Sequence, residues 1–171
     1  MIFIFLERLI RLESSSEISK LEVRKKSNKE LRGKTIEFKN KMYFSAFGSA
    51  TGSESWVSDG TEFGTVLLKD ITPGDNTSHS GIGGLTVVGD ELLFAANDGT
   101  NGSELWKTNG TTSGTLMVKD IYLGANSSNI GALEDVNGVL FFRADDSSAN
   151  GSELWKSDGT TSGTVMVKDI R

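Results

Sequence analysis

From Thr35 onward, short runs of alternating apolar and polar residues are broken by Gly, Asn and Asp. The clearest run, Leu92–Ala96, sets Leu92, Phe94 and Ala96 on one face and Leu93 and Ala95 on the other. Period-two spacing bounded by turn residues marks a β-strand. Met42, Phe44 and Ala46 repeat the spacing, and so do Leu140, Phe142 and Ala144. Three more strand candidates surround the central one: Leu85–Val88, Ser103–Lys107 and Thr115–Lys119. In Ser103–Lys107, Glu104 and Trp106 share a face and Leu105 takes the other. Thr115–Lys119 is apolar on both faces at Leu116, Met117 and Val118, the pattern of a strand covered on both sides.

Turn chemistry separates these strands. Asn137-Gly138 is a strong two-residue hairpin signal, because a type I′ turn needs positive φ at both central residues. Gly89-Asp90 is acceptable there, and Asn40-Lys41 is weaker. Asp59-Gly60-Thr61, Asn109-Gly110-Thr111 and Asp158-Gly159-Thr160 join the third strand to the fourth. Asp or Asn can bond the backbone two residues on, and Gly takes the left-handed position. A second Gly follows at 64, 114 and 163.

The pattern is periodic. Trp56, Trp106 and Trp155 lie 50 and 49 residues apart, each inside one phrase: GSESWVSDGTEFGTVLLKDI, GSELWKTNGTTSGTLMVKDI or GSELWKSDGTTSGTVMVKDI. Repeats are therefore expected at 35–84, 85–132 and 133–171, the last incomplete. Four antiparallel strands per roughly 45–50 residues is the arithmetic of a β-propeller blade. A β-sandwich has no reason to repeat a phrase at that period. The predicted fold is all-β and propeller-like, with about three four-stranded antiparallel blades.

Residues 1–34 obey another rule. Ile2, Leu6, Leu9 and Ile10 fall at helical spacing, and the stretch after them is dominated by Glu and Lys. A helical, basic segment is expected there, packing on the body or serving as a partner or membrane-surface helix. No basic stretch precedes the short apolar run Ile2–Leu6, so no signal peptide is visible, and that run is far too short for a membrane span.

Composition sharpens the division. All 20 glycines lie at 33 or beyond. Residues 1–41 hold 11 Lys/Arg against 6 Asp/Glu, while residues 42–171 hold 7 against 17. The acidic body argues against a nucleic-acid surface. With no Cys, there is no disulfide frame, Cys-based zinc site or thiol nucleophile. The lone His79 supplies no rich set of general bases.

The phrase GxELWxxDGTxxGTxxVKDI resembles the ELWxxDGT repeat family of long bacterial proteins. Glu104, Leu105, Trp106, Gly110, Thr111, Gly114 and Thr115 carry the match, with Asn109 in place of Asp. In the third repeat Glu153, Leu154, Trp155, Asp158, Gly159, Thr160, Gly163 and Thr164 carry it. The first repeat departs at Ser55, where Leu is expected, leaving a smaller side chain on one face. The resemblance spans 35–171 and implies propeller-like blades in secreted or surface proteins, with no enzyme activity.

Candidate chemistry is thin. Asp59, Asn109 and Asp158 are weak candidates for calcium, but Asn109 brings no charge and turn capping explains all three. Glu54, Glu104 and Glu153 accompany each Trp. A catalytic acid occurs once per site rather than once per repeat, so a structural hydrogen bond or an ion pair with Lys69, Lys119 or Lys168 is expected. Trp56, Trp106 and Trp155 either pack between blades or stack on sugars. Gly60, Gly110 and Gly159 complete the repeat signature, read as structural. No nucleophile, base and orienting residue can be assembled from unique residues, so no enzyme is expected. The expectation is an interaction module or spacer binding a protein or glycan, with a lectin of one site per blade as the alternative. Propellers close with about 4 to 8 blades. Three blades leave a fragment of a longer array, self-association through open edges, or an open stack capped by the head.

Overall fold

The computed structural model describes residues 35–74, 80–147 and 151–170. The predicted N-terminal helical segment (1–34) and His79 lie outside them. Twelve strands occur among the described residues. They are β1 (Thr35–Phe38), β2 (Lys41–Gly48), β3 (Gly52–Ser58), β4 (Val66–Lys69), β5 (Gly83–Val88), β6 (Glu91–Asn97), β7 (Ser103–Thr108), β8 (Leu116–Lys119), β9 (Gly131–Val136), β10 (Val139–Asp145), β11 (Ser152–Ser157) and β12 (Val165–Lys168). They form three four-stranded antiparallel sheets in sequence order: β1-β2-β3-β4, β5-β6-β7-β8 and β9-β10-β11-β12. The strands expected from period-two spacing are all present in the second sheet, each within two residues of its expected ends.

Register is set by the hairpins. Lys39 and Asn40 both have positive φ (50° and 58°), and so do Asn137 and Gly138 (54° and 83°). The first hairpin thus turns at Lys39-Asn40, one residue earlier than Asn40-Lys41, because Phe38 pairs with Lys41. At Gly89-Asp90 only Gly89 is positive, at 57°, the type II′ pattern. Each third strand carries a bulge against the fourth, at Ser55/Trp56, Leu105/Trp106 and Leu154/Trp155. The extra residue on the fourth strand turns Val118 and Lys119 toward the same side of the sheet.

The alternation becomes packing between sheets. Each sheet has a rear face toward the preceding sheet and a forward face toward the next. On the second sheet, Leu92 packs backward with Phe38, Tyr43, Val57 and Leu68, while Phe94, Ala96 and Trp106 pack with Ile71 and Ile82. The forward face offers Val88, Leu93, Leu105, Val118 and Ile121 to Leu140, Phe142, Ala144 and Trp155 of the third sheet. The core is thus a series of seams between sheets. The first strands neighbour one another, β1 beside β5 and β5 beside β9. Ser55 occupies the forward-face position that Leu105 fills in the second sheet, and it is buried.

Two kinds of glycine hold the β7–β8 type of turn. Gly60, Gly110 and Gly159 have φ of 91°, 98° and 84°. Gly64, Gly114 and Gly163 have ordinary φ, but a Cβ on each would lie 2.0, 2.1 or 2.0 Å from Oδ1 of Asp59, Asn109 or Asp158. The second glycine makes room for the turn-forming side chain.

Gly114→Ala should therefore lower unfolding stability by about 1–3 kcal/mol through overpacking, read as a shift in urea midpoint. Leu105→Ala, at a fully buried position, should cost about 2–5 kcal/mol. Ser113→Ala on the exposed turn should stay within about 0.5 kcal/mol.

Candidate functional site

The signature residues assemble into one polar arrangement, used three times. The carboxylates of Glu54, Glu104 and Glu153 are buried. Oε2 of each accepts from an amide just past its fourth strand: Ile71 at 2.9 Å, Ile121 at 2.8 Å and Ile170 at 2.9 Å. Oε1 of Glu54 accepts from the Thr72 amide at 3.2 Å, and Oε1 of Glu104 from the Ser128 amide at 3.0 Å. Each glutamate satisfies backbone donors where the chain leaves the sheet and needs a partner. The partners are amides and not the repeat lysines.

Those lysines reach forward instead. Lys69 Nζ donates to the Thr115 carbonyl at 2.7 Å and lies 6.0 Å from the Trp106 ring centroid. Lys119 Nζ donates to the Thr164 carbonyl at 2.8 Å and lies 5.7 Å from the Trp155 ring. Both distances allow a cation–π attraction. In return, Thr112 Oγ1 donates to the Leu68 carbonyl at 2.8 Å, and Thr161 Oγ1 to the Val118 carbonyl at 2.7 Å. Trp106 and Trp155 are buried. Trp106 and Trp155 thus pack between sheets with a lysine over each ring. The indole Nε1 atoms of Trp56 and Trp106 and the Oδ1 atoms of Asp70 and Asp120 are buried without a hydrogen-bond partner.

Asp59, Asn109 and Asp158 serve the turns. Oδ1 of each accepts from the amide and the hydroxyl of the Thr two residues on: Thr61 (2.9 and 2.7 Å), Thr111 (3.0 and 2.7 Å) and Thr160 (2.9 and 2.7 Å). The threonine hydroxyl and amide hold the carboxyls of Asp59 and Asp158 below the usual carboxylate range. Among the described residues no cluster of three or more His, Cys, Asp or Glu could hold a metal. Sequence reasoning missed a second layer of the same turn. Ser58–Thr65, Thr108–Thr115 and Ser157–Thr164 form hydroxyl pairs at 2.7, 2.8 and 2.7 Å. The recurrence of Ser/Thr two residues after Trp, and of Thr after the second Gly, is the signal that marks them.

Proton chemistry concentrates at Glu104. Burial pushes its carboxyl up to about 7, against the backbone and Ser128 bonds that lower it, with Asp120 adding a smaller push upward. Glu54 is raised for the same first reason, burial. Both oxygens of Glu104 accept from backbone amides, those of Ile121 and Ser128.

No family model matches this chain, and no curated protein matches it. It is similar in structure to an α-L-arabinofuranosidase from Clostridium thermocellum, at a TM-score of 0.31 and 18% identity. The match covers 78% of this chain and 49% of that one, so the chain spans about half that enzyme's length. This corrects the expectation that the chain is no enzyme: a solved structure it is similar to is an α-L-arabinofuranosidase. The expectation rested on acids that recur in every repeat and on the lack of a nucleophile, base and orienting set among unique residues, yet fold does not decide function. A likeness this distant assigns no activity either.

The Glu104 shift has a measurable consequence. A folded-state value of about 7 against an ordinary 4.5 means the native state binds more protons between those values. That part of the stability is fully present below about pH 4.5 and is lost as pH rises through about 7. Wild type should lose urea midpoint across this window, and Glu104→Gln should flatten that part of the profile. Above the window, Gln sets an NH2 against a backbone amide, which should cost about 1–3 kcal/mol.

Proposed function

We propose that this chain is a repeat module of a secreted or surface protein: a propeller-like stack of four-stranded blades that offers loops to a protein or glycan partner, or spaces other parts of that protein. The propeller-like reading is supported by consecutive sheets packed face to face with their first strands side by side. Inner strands of blades lie that way around a common axis. The surface location draws on the likeness of the signature phrases to the ELWxxDGT repeats.

The observation that carries the functional reading is the use of the signature. The glutamates, the turn Asp/Asn, Lys69, Lys119, Trp106 and Trp155 are engaged within the stack. Variation falls largely in connections between strands, among them those between second and third strands. In one of them, Asp98 accepts from the Thr100 and Asn101 amides at 2.8 Å each, and Asn101 Nδ2 donates to its Oδ2 at 2.7 Å. Burial pulls the Asp98 carboxyl upward, but these bonds outweigh it and keep it below the usual range. The loop is thus pre-shaped and negatively charged. The alternative, a sugar stacked on each Trp, has to contend with rings that are buried and overlain by lysine.

A glycan array with the full chain, then titration of any hit, tests the reading. Asp98→Ala should weaken binding while Trp106→Phe leaves it unchanged. Loss with Trp106→Phe in a protein of wild-type circular dichroism would establish the sugar-stacking alternative instead.

A further inference from the structure

The first two repeats leave the same two polar atoms over. Nε1 of Trp56 and Oδ1 of Asp70 are buried without a hydrogen-bond partner, and so are Nε1 of Trp106 and Oδ1 of Asp120. An indole N–H only donates, and an ionised carboxylate only accepts. Buried polar groups in folded proteins are paired, so an orphan donor and an orphan acceptor that recur together need a common explanation.

Both atoms lie toward one end of the rear face. Trp106 follows Glu104 by two residues in β7, so their side chains share that face. Asp120 directly precedes Ile121, whose amide is bound to Glu104. Beyond the effect of burial, the Asp120 charge adds to the rise at Glu104, and Asp70 does the same at Glu54. In the first repeat the direction of the indole is fixed as well. A Cβ on Gly48 would lie 3.6 Å from Cζ2 of Trp56, a ring atom next to the one that carries Nε1. Gly48 pairs with Gly52, beyond the Ala46–Glu54 pair. The Nε1 edge of the ring therefore points to the end of the sheet that holds Glu54, Ile71 and Asp70.

The neighbouring groups are already engaged. The oxygens of Glu54 accept from the Ile71 and Thr72 amides, and those of Glu104 from the Ile121 and Ser128 amides. Oδ2 of Asp120 accepts from the Gly124 amide at 3.3 Å, which leaves Oδ1 to the interior. A cation here would meet the positive end of the indole N–H, and an anion would meet two carboxyl groups. A neutral molecule that both accepts and donates suits the pair, and water is the smallest that does. Internal waters are held in this way, by buried groups that otherwise lack partners.

We infer that each of these two repeats holds one internal water, which accepts from the Trp Nε1–H and donates to the Asp Oδ1. The water ties the third strand to the chain leaving the fourth. It gives the Asp of the Lys-Asp-Ile phrase a task separate from that of the Glu, and it gives the phrase a reason to carry Trp where Phe would fill the seam.

Water–protein NOE and ROE spectra of the isotope-labelled full chain test this at the indole protons. Expected are direct water contacts at the Trp56 and Trp106 Hε1 protons, with the NOE sign of a water held longer than the molecule takes to tumble. Asp120→Leu, which removes the acceptor and keeps a side chain there, should lose the Trp106 contact and retain that of Trp56. Asp70→Leu should do the reverse. No water contact at either indole proton, or a Trp106 contact unchanged by Asp120→Leu in a protein of wild-type circular dichroism, would overturn the proposal. If either variant misfolds, a high-resolution crystal structure of the full chain decides. A water within about 3.2 Å of both atoms supports the proposal, whereas a direct Nε1–Oδ1 bond or a dry seam overturns it.

Discussion

Both faces of a four-stranded sheet in this chain are apolar, so a single sheet cannot be stable in water. Leu92, Phe94 and Ala96 look one way, while Leu93 and Leu105 look the other. The repeat provides cover by placing a similar unit beside the sheet, and the second sheet is covered in this way on both faces. Burying a Leu or Phe is worth about 1.5–3 kcal/mol relative to exposure, and several such side chains meet in each seam. The strand order, the short fourth strand and the position of each connecting loop all serve that stacking.

Covering a sheet with its neighbour creates a polar problem that the signature solves. The chain leaves the fourth strand and crosses to the next unit, and its amides there have no ladder partner. Buried glutamates accept them. Sealing a carboxylate in a seam is unfavourable unless it is fully hydrogen-bonded, which is why the Glu104 carboxyl titrates so far above its ordinary range. Between units, lysine and threonine exchange bonds to each other's backbone carbonyls. An apolar seam fixes which faces meet, and these bonds fix how far one sheet slides along the next.

Much of this was legible in the sequence. Period-two spacing placed the strands and assigned Leu105 and Trp106 to opposite faces. The Asn/Asp-Gly-Thr phrases located the turns. What stayed hidden concerns partners. A repeat shows which residues recur, but not whether a recurring residue bonds within its own unit or with the next. Lys119 and Glu104 lie in one phrase and look like an ion pair, yet one reaches into the third sheet and the other holds the backbone of its own. The first turn shifted by a residue because pairing of Phe38 with Lys41 outweighed the weak local preference at Asn40-Lys41. The non-enzyme expectation was drawn from the signature phrases and from the lack of a nucleophile, base and orienting set among unique residues, and neither decides what a scaffold of this kind does.

The lysine that crosses each seam has a mechanical consequence. Because Lys69 and Lys119 are anchored on carbonyls of the following unit, a sheet cannot loosen alone without releasing the unit ahead of it. Stability in such a chain is passed between nearest neighbours, as in one-dimensional repeat arrays. Of the three described sheets, the second is the one clasped from both sides, so its amide protons are the last of the three to exchange with water.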